Sequence, residues 1–238
     1  MPTLKASYGR LKGFDPASLP ALATRLAKVR FDMSSDTQVI GTDRGPGRLS
    51  VELALRRERE GLGFDDAKGA LVVHKGYEYL RRYFTLEAES AVASTPGGRR
   101  DLTLFTELLK RCGAGGVELL DLRCDMAAWA RDFLHLYDSA QLGGLVIDNY
   151  YAEPKLMGRY AAKTVDNRID LKLIGELAGK LRSIRFSFFY EGLRRSAEAR
   201  VDGVLSVSSS DEEDVASFFG EQQRLYLKHC SAGKKDED

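Results

Sequence analysis

The sequence contains few of the residues that usually mark a chemical site. Among its 238 residues, three are cysteine, three are histidine and one is tryptophan. Cys112, Cys124 and Cys230 never occur as CxxC, so no metal site with ordinary zinc-ligand spacing is expected. The odd number of cysteines and the lack of an apolar leader predict a reducing compartment, either the cytoplasm or the nucleus.

Long apolar runs and a large net charge are also missing. No run of about 18 apolar residues occurs, so no membrane-spanning helix is predicted. The formal net charge is +1 and the arginine pairs are scattered, so no field attracts nucleic acid or a membrane surface. With 43% hydrophobic and 30% charged residues, the composition indicates one large globular domain or two small ones.

Catalytic motifs are the third absence. The RGPGR segment at 44–48 lacks the lysine of a phosphate-binding loop and does not open a helix, which favours a hairpin loop. No serine or cysteine motif accompanies His74 or His135, so neither is predicted to act on a nucleophile. We expect no cofactor, and an enzymatic role is the less favoured interpretation.

The first 93 residues form the first predicted domain. Leu19, Leu22 and Leu26 recur at helical spacing within 16–29, which predicts a short amphipathic helix. Apolar residues then alternate from Leu49 to Leu55, as in a half-buried strand. Residues 30–90 are therefore predicted to form a small antiparallel β-meander, and the turn-forming segment 94–101 to end it.

Helices and strands alternate in the second predicted domain, residues 101–230, and a disordered charged tail is predicted over 231–238. Three strands of this domain share one apolar spacing. Its positions are Val117, Leu120, Leu122 and Cys124; Leu142, Leu145, Ile147 and Asn149; and Leu181, Ile184, Phe186 and Phe188. A predicted helix precedes each copy, and the first two copies lie 25 residues apart, which is within the range of leucine-rich repeats.

Over about residues 101–210 this spacing resembles the leucine-rich-repeat pattern LxxLxLxxN/CxL. It is similar to the strand-helix repeats that follow F-boxes in substrate receptors of ubiquitin ligases, although SLPALATRLAKVRF is too short for a complete F-box. Cys124 and Asn149 come one residue earlier than the pattern requires. The resemblance implies an α+β chain, in which helix-strand units follow the meander and strands 117–123, 144–149 and 183–189 lie parallel. The alternative is an ordinary α/β domain whose buried strands share apolar spacing.

The favoured function is non-catalytic: a protein-binding or adaptor module that uses the exposed face of the repeat sheet. The residues predicted to contact the partner are Leu119, Asp121, Arg123, Val146, Asp148, Tyr150, Tyr151, Tyr160 and Arg185. The tyrosines belong to a segment predicted to be an inserted loop. Charges of both signs mixed with aliphatic and aromatic residues favour a protein partner over nucleic acid.

The alternative function is that of a metal-dependent α/β enzyme. Asp121 and Asp148 lie near the carboxyl ends of two predicted strands, where ligands bind in open parallel sheets. Two carboxylates at such an edge could hold Mg²⁺. If the strands belong to repeats, both side chains instead point to the exposed face, and no metal is bound.

Overall fold

The fold consists mainly of β-strands. A computed structural model describes residues 1–31, 36–65, 67, 70–153, 156–162 and 171–233. For 63–65, 70, 72, 74, 148–153, 156–162, 171–173 and 178 it describes the backbone only. The chain divides into an inner unit, Leu11–Glu118, and a terminal unit, which comprises Met1–Arg10 and Leu119–Asp238.

The inner unit is an antiparallel meander with two helices. After the end of β1 (Thr3–Lys12) its elements are α1 (Leu19–Leu26), β2 (Thr37–Gly45), β3 (Arg48–Asp65), β4 (Ala70–Glu87), β5 (Val92–Thr95) and α2 (Arg99–Arg111). Strands β2 to β5 pair in chain order, each antiparallel to the next. Helix α2 covers β4 and β5, and the rings of Phe84 and Phe105 stack 4.7 Å apart in the core. Both side chains are almost completely buried.

The terminal unit is built from more strands and three helices. They are β1, β6 (Glu118–Cys124), α3 (Met126–Leu136), β7 (Gln141–Glu153), β8 (Leu156–Ala162), α4 (Leu171–Glu176), β9 (Leu181–Tyr190), β10 (Leu193–Arg200), β11 (Val204–Ser209), α5 (Glu212–Lys228) and β12 (Cys230–Ala232). The strand order is β8-β7-β9-β10-β11-β1, and β6 pairs with β1 and β12. Helix α3 packs on β9, and α5 packs on β11 and α3.

The predicted parallel sheet of leucine-rich-repeat units is wrong. Strands β7 and β9, which contain the second and third copies of the spacing, are antiparallel neighbours, with Leu145 opposite Ile184. Strand β6, which contains the first copy apart from Val117, pairs antiparallel with β12. The recorded neighbours of β7 are β8 and β9, and β6 is not among them. Antiparallel pairing needs no crossover helix, so a helix before each strand does not imply a repeat.

In the second and third copies the shared spacing comes from β-bulges. The register of the β7–β9 pair shifts between Leu142 and Gly144, so β7 has one extra residue there, and shifts again where β9 has Arg182 as its extra residue. A bulge adds one residue between side chains on the same face, so the step between buried residues becomes three instead of two. The steps from Leu142 to Leu145 and from Leu181 to Ile184 each span such a bulge.

The predicted inserted loop is also absent from the described residues. Tyr150 and Tyr151 lie on β7, and Tyr160 lies on β8, opposite Ile147. The segment that was expected to protrude as a loop is thus largely the antiparallel β7–β8 hairpin. Of the predicted tail, Ser231 and Ala232 lie on β12, and residues 234–238 lie outside the described residues.

Candidate functional site

The outer part of the β3–β4 hairpin is a two-stranded ribbon. The two strands pair without interruption from Arg48 opposite Glu87 to Asp65 opposite Ala70. The recorded pairing of β2 with β3 ends at Leu55. Beyond that point, no third strand pairs with β3 or β4 among the described residues. We call residues 56–65 and 70–79 the ribbon, which at about 3.3 Å per residue extends roughly 30 Å.

One face of the ribbon and its base presents a row of large apolar side chains, which we call the stripe. The stripe consists of Leu62, Leu71, Val73, Tyr77, Tyr79 and Tyr83, which are between 51% and 75% exposed. Successive strand residues point to opposite faces, so the odd-numbered members on β4 share one face, and the register places Leu62 opposite Val73 on that face. The three tyrosines alone expose on the order of 300 Å², since an aromatic side chain carries roughly 150–250 Å².

The opposite face of the ribbon is polar. Arg57 lies opposite Glu78, and Arg59 opposite Gly76. The guanidinium of Arg59 lies 3.9 Å from the carboxylate of Glu78. The hairpin therefore has one apolar face and one charged face, which is the pattern of a sheet that buries one side against another surface.

The stripe is held in place at its inner end. The ring of Phe31 packs against Tyr79, with the centroids 5.6 Å apart. The guanidinium of Arg56 lies 5.1 Å from the Tyr77 ring centroid and 5.4 Å from that of Phe31. These contacts restrict the rotamers of two stripe tyrosines, which lowers the entropy that a partner would have to remove on binding.

The cations on the stripe face have carboxylate partners. The guanidinium of Arg56 lies 2.9 Å from the carboxylate of Asp36, and the ammonium of Lys75 lies 3.2 Å from that of Glu60. Arg81 makes the same contact with Glu52, also at 3.2 Å. The face is therefore close to electrically neutral.

A depression of about 410 Å³ lies at the base of the stripe. Gly41, Thr42, Glu52 and Tyr83 are among the residues that line it. The register between β2 and β3 shifts between Val39 and Gly41, so Ile40 is the extra residue of a β-bulge there.

The residues predicted to bind a partner lie elsewhere, in the terminal unit. On β6, Asp121 and Arg123 are exposed and Leu119 is half-buried. Val146 is half-buried on β7. Arg185 is exposed on β9, where its Nε donates to the Glu198 carboxylate at 2.9 Å.

The side chains of Asp148, Tyr150, Tyr151 and Tyr160 lie outside the described residues. The nine predicted contact residues thus belong to four strands of one unit, and their role in binding stays a prediction.

The structure gives no support to a metal site at Asp121 and Asp148. Asp121 lies on β6 and Asp148 on β7, which are not recorded as neighbours in the sheet. Among the side chains that the structure describes, no group of three or more His, Cys, Asp or Glu residues is arranged to hold a metal ion.

Sequence reasoning did not identify the ribbon as a candidate site. The segment ALVVHKGYEYLRRYF was interpreted as strand because it is rich in valine and aromatic residues, and such composition ordinarily predicts burial. A usable signal exists in the alternation of Leu71, Val73, Tyr77 and Tyr79 on a hairpin of unusual length. A strand of 18 residues is much longer than the usual five or six, so its outer part extends past the strands that pair with the base of the hairpin.

Comparison with known proteins does not assign a family. No protein-family model matches the chain, and no curated protein sequence matches it significantly. Among the described residues, no helix has the length and apolarity needed to cross a membrane.

Proposed function

We propose that this protein is a non-catalytic binding module that docks a protein partner through the stripe on the β3–β4 ribbon. The observation that supports this proposal is the concentration of six large, mostly exposed apolar side chains on one face of one hairpin. Exposed apolar patches of several hundred Å² mark interaction surfaces in folded proteins, and tyrosine is enriched in the cores of interfaces.

A protein fits this face better than a nucleic acid does. Nucleic acids are bound through arginine and lysine that neutralise phosphates, which requires an excess of cations. The cations on the stripe face, Arg56, Lys75 and Arg81, already have carboxylate partners in this chain. Apolar side chains framed by balanced ion pairs are typical of protein–protein interfaces, which have an apolar centre and a polar rim.

Docking would also stabilise the ribbon itself. An isolated two-stranded hairpin is marginally stable in water, and among the described residues no third strand pairs with the ribbon. A partner that covers the stripe would bury its apolar area, and each Å² buried contributes about 25 cal/mol of favourable free energy. The partner would also shield the cross-strand hydrogen bonds from water. We therefore expect amide exchange along the ribbon to slow when the partner binds.

The proposal is tested by a pair of variants on opposite faces of the ribbon. The stripe variant combines Leu62→Ser and Val73→Ser, which face each other across the two strands and are 75% and 58% exposed. Losing two buried aliphatic contacts should lower partner capture at least about tenfold. The measurement is quantitative affinity capture from the native cell with isotope-labelled mass spectrometry.

The matched control combines Arg57→Ser with Glu78→Ser, which also face each other but lie on the polar face. This variant should retain capture. Both variants should unfold close to the wild-type temperature, because three of the four altered side chains are mostly exposed and the half-buried Glu78 makes only a surface ion pair. Equal capture by the stripe variant and the wild type would contradict the proposal. Light scattering of the purified chain shows whether the partner is a second copy.

The surface predicted from the sequence is tested in the same assay. Substituting Asp121→Ala together with Arg185→Ala should leave folding intact, because exposed charges contribute little stability. If this double variant loses capture and the stripe variant keeps it, the partner docks on the terminal unit instead of on the ribbon.

The proposal includes a reducing compartment, the cytoplasm or the nucleus. The odd number of cysteines, three in the sequence, supports this part of the proposal, because proteins of oxidising compartments usually pair their cysteines. No catalytic step is assigned to the chain.

A further inference from the structure

Cys124 and Cys230 lie directly opposite each other in the antiparallel pair of β6 and β12. The hydrogen bonds on either side identify the type of pair. The Asp125 amide donates to the His229 carbonyl at 2.9 Å, and the Gly233 amide donates to the Asp121 carbonyl at 2.7 Å. In an antiparallel ladder, bonded and non-bonded pairs alternate, so Cys124 and Cys230 are a non-hydrogen-bonded pair.

This position suits a disulfide. Residues in a non-hydrogen-bonded pair have Cα atoms about 4.5 Å apart, with side chains on the same face. Disulfides span Cα separations of roughly 4.4–6.8 Å, so the bond could form without moving either strand. The Cys124 amide donates to the Val201 carbonyl at 3.0 Å, so β6 is also held on its other side.

The two thiols differ in access. Cys124 is buried, whereas Cys230 is partly exposed. A hydrogen bond with Cys230 and burial both raise the pKa of the Cys124 thiol, so Cys124 rests in its protonated form. Reagents in solution therefore meet Cys230 first, and Cys124 is positioned as the second, resolving thiol.

We propose that Cys124 and Cys230 form a reversible thiol–disulfide site whose co-substrate is a small-molecule disulfide such as oxidised glutathione. The Cys230 thiolate attacks one sulfur of that disulfide, whose S–S bond breaks and releases one thiolate. Cys124 then attacks the Cys230 sulfur and displaces the second thiolate, which takes up the Cys124 proton as it leaves. Two protein thiols are oxidised to one disulfide, and one small disulfide is reduced to two thiols.

The bond would join two helices of the terminal unit. Asp125, next to Cys124, caps α3 by accepting hydrogen bonds from the amides of Ala127 and Ala128. Cys230 follows the end of α5 after one residue. Oxidation would thus fasten the end of α5 to the start of α3 and close a loop of about 100 residues, which restricts the unfolded chain strongly. The oxidised protein should melt at a higher temperature than the reduced protein.

The test equilibrates the full-length chain with reduced and oxidised glutathione at a series of ratios, then alkylates the remaining thiols. We expect two of the three thiols to disappear together, with a mass loss of two hydrogens and a peptide that links Cys124 to Cys230. Cys112, which is buried, should remain the alkylated residue in the oxidised protein after unfolding. The melting temperature should rise on oxidation and return on reduction.

Variants separate this site from general thiol oxidation. Cys112→Ser should still lose two hydrogens, whereas Cys124→Ala should stop at a mixed disulfide of glutathione on Cys230. Cys230→Ser, at the partly exposed position, should abolish the oxidation-dependent rise in melting temperature. A bridge that includes Cys112, a disulfide-linked dimer, or a glutathione adduct on the wild type that never resolves would each overturn the proposal.

Discussion

Replacing Arg195 with methionine is expected to lower the free energy of unfolding by about 3 kcal/mol, because the change leaves the Asp214 carboxylate, which is only 13% exposed, without its partner. Arg195 is 7% exposed on β10. Its Nε and Nη2 donate to the two oxygens of Asp214 at 2.9 and 2.5 Å. The guanidinium lies 4.9 Å from the Tyr190 ring centroid and 5.1 Å from that of Phe218.

Asp214 lies in the first turn of α5, so this ion pair anchors a helix to the sheet. The Ser209 hydroxyl donates to the same carboxylate at 2.6 Å. Burial acts to raise the pKa of Asp214, but the hydrogen bonds from Arg195 and Ser209 and the guanidinium charge outweigh it and lower the pKa. The charged carboxylate is thus stabilised by its partners and depends on them.

The effect of Arg195→Met should depend on pH. The pKa of Asp214 is lower in the folded protein than its ordinary value of 3.8, so its contribution is present above that value and is lost as the pH falls through the folded pKa. The gap in stability between the wild type and Arg195→Met should therefore be full at neutral pH and narrow below about pH 4. Urea denaturation at several pH values measures it.

Arg185→Met provides the matched control. Like Arg195, Arg185 pairs with one carboxylate, here that of Glu198 on the neighbouring strand, but its side chain is 58% exposed. Removing it should cost at most about 1 kcal/mol, since water screens exposed pairs. Equal costs for the two variants would show that burial is not what makes the Arg195 pair important.

The inward faces of individual strands could be predicted from the sequence, because alternation is a local property. Ile184, Phe186 and Phe188 were expected to point inward on β9, and all three are buried. Leu145 and Ile147 are buried on β7 as well. Each of these positions follows from the spacing of apolar residues along a single segment.

The pairing of strands could not be predicted in the same way. Backbone hydrogen bonds form the β7–β9 ladder, and they depend little on which side chains flank them. The bulges that shift the apolar spacing look, in sequence, like the step of a repeat. Apolar spacing therefore located β6, β7 and β9 but gave them the wrong neighbours and direction.

The ribbon shows a second limit of sequence reasoning. The segment that contains Tyr77 and Tyr79 has the composition of a buried strand, yet both tyrosines are more than half exposed. Whether an apolar face is covered depends on elements distant in sequence, and β2 ends its recorded pairing with β3 at Leu55. The apolar character of a side chain predicts that it packs against another surface, but it does not say whether that surface belongs to the same chain. For the stripe, the surface is proposed to belong to a protein partner.

Replacing Phe133 with alanine is expected to cost about 3–5 kcal/mol, because it removes the centre of an aromatic cluster between α3 and β9. Phe133 is completely buried. Its ring centroid lies 4.8 Å from that of Phe186, 5.2 Å from Trp129 and 5.0 Å from Tyr137. Such a closed cluster cannot collapse into the space that a phenyl ring leaves, so the cavity term adds to the lost transfer energy.

Phe189→Ala is the control, since Phe189 lies on β9 but is 69% exposed. Its substitution should change the free energy of unfolding by no more than about 0.5 kcal/mol. Phe133→Leu should fall between the two, because leucine restores part of the volume. Chemical denaturation should show that the loss in free energy of unfolding decreases in the order Phe133→Ala, Phe133→Leu, Phe189→Ala. A loss for Phe189→Ala as large as that for Phe133→Ala would mean that this face of β9 is covered.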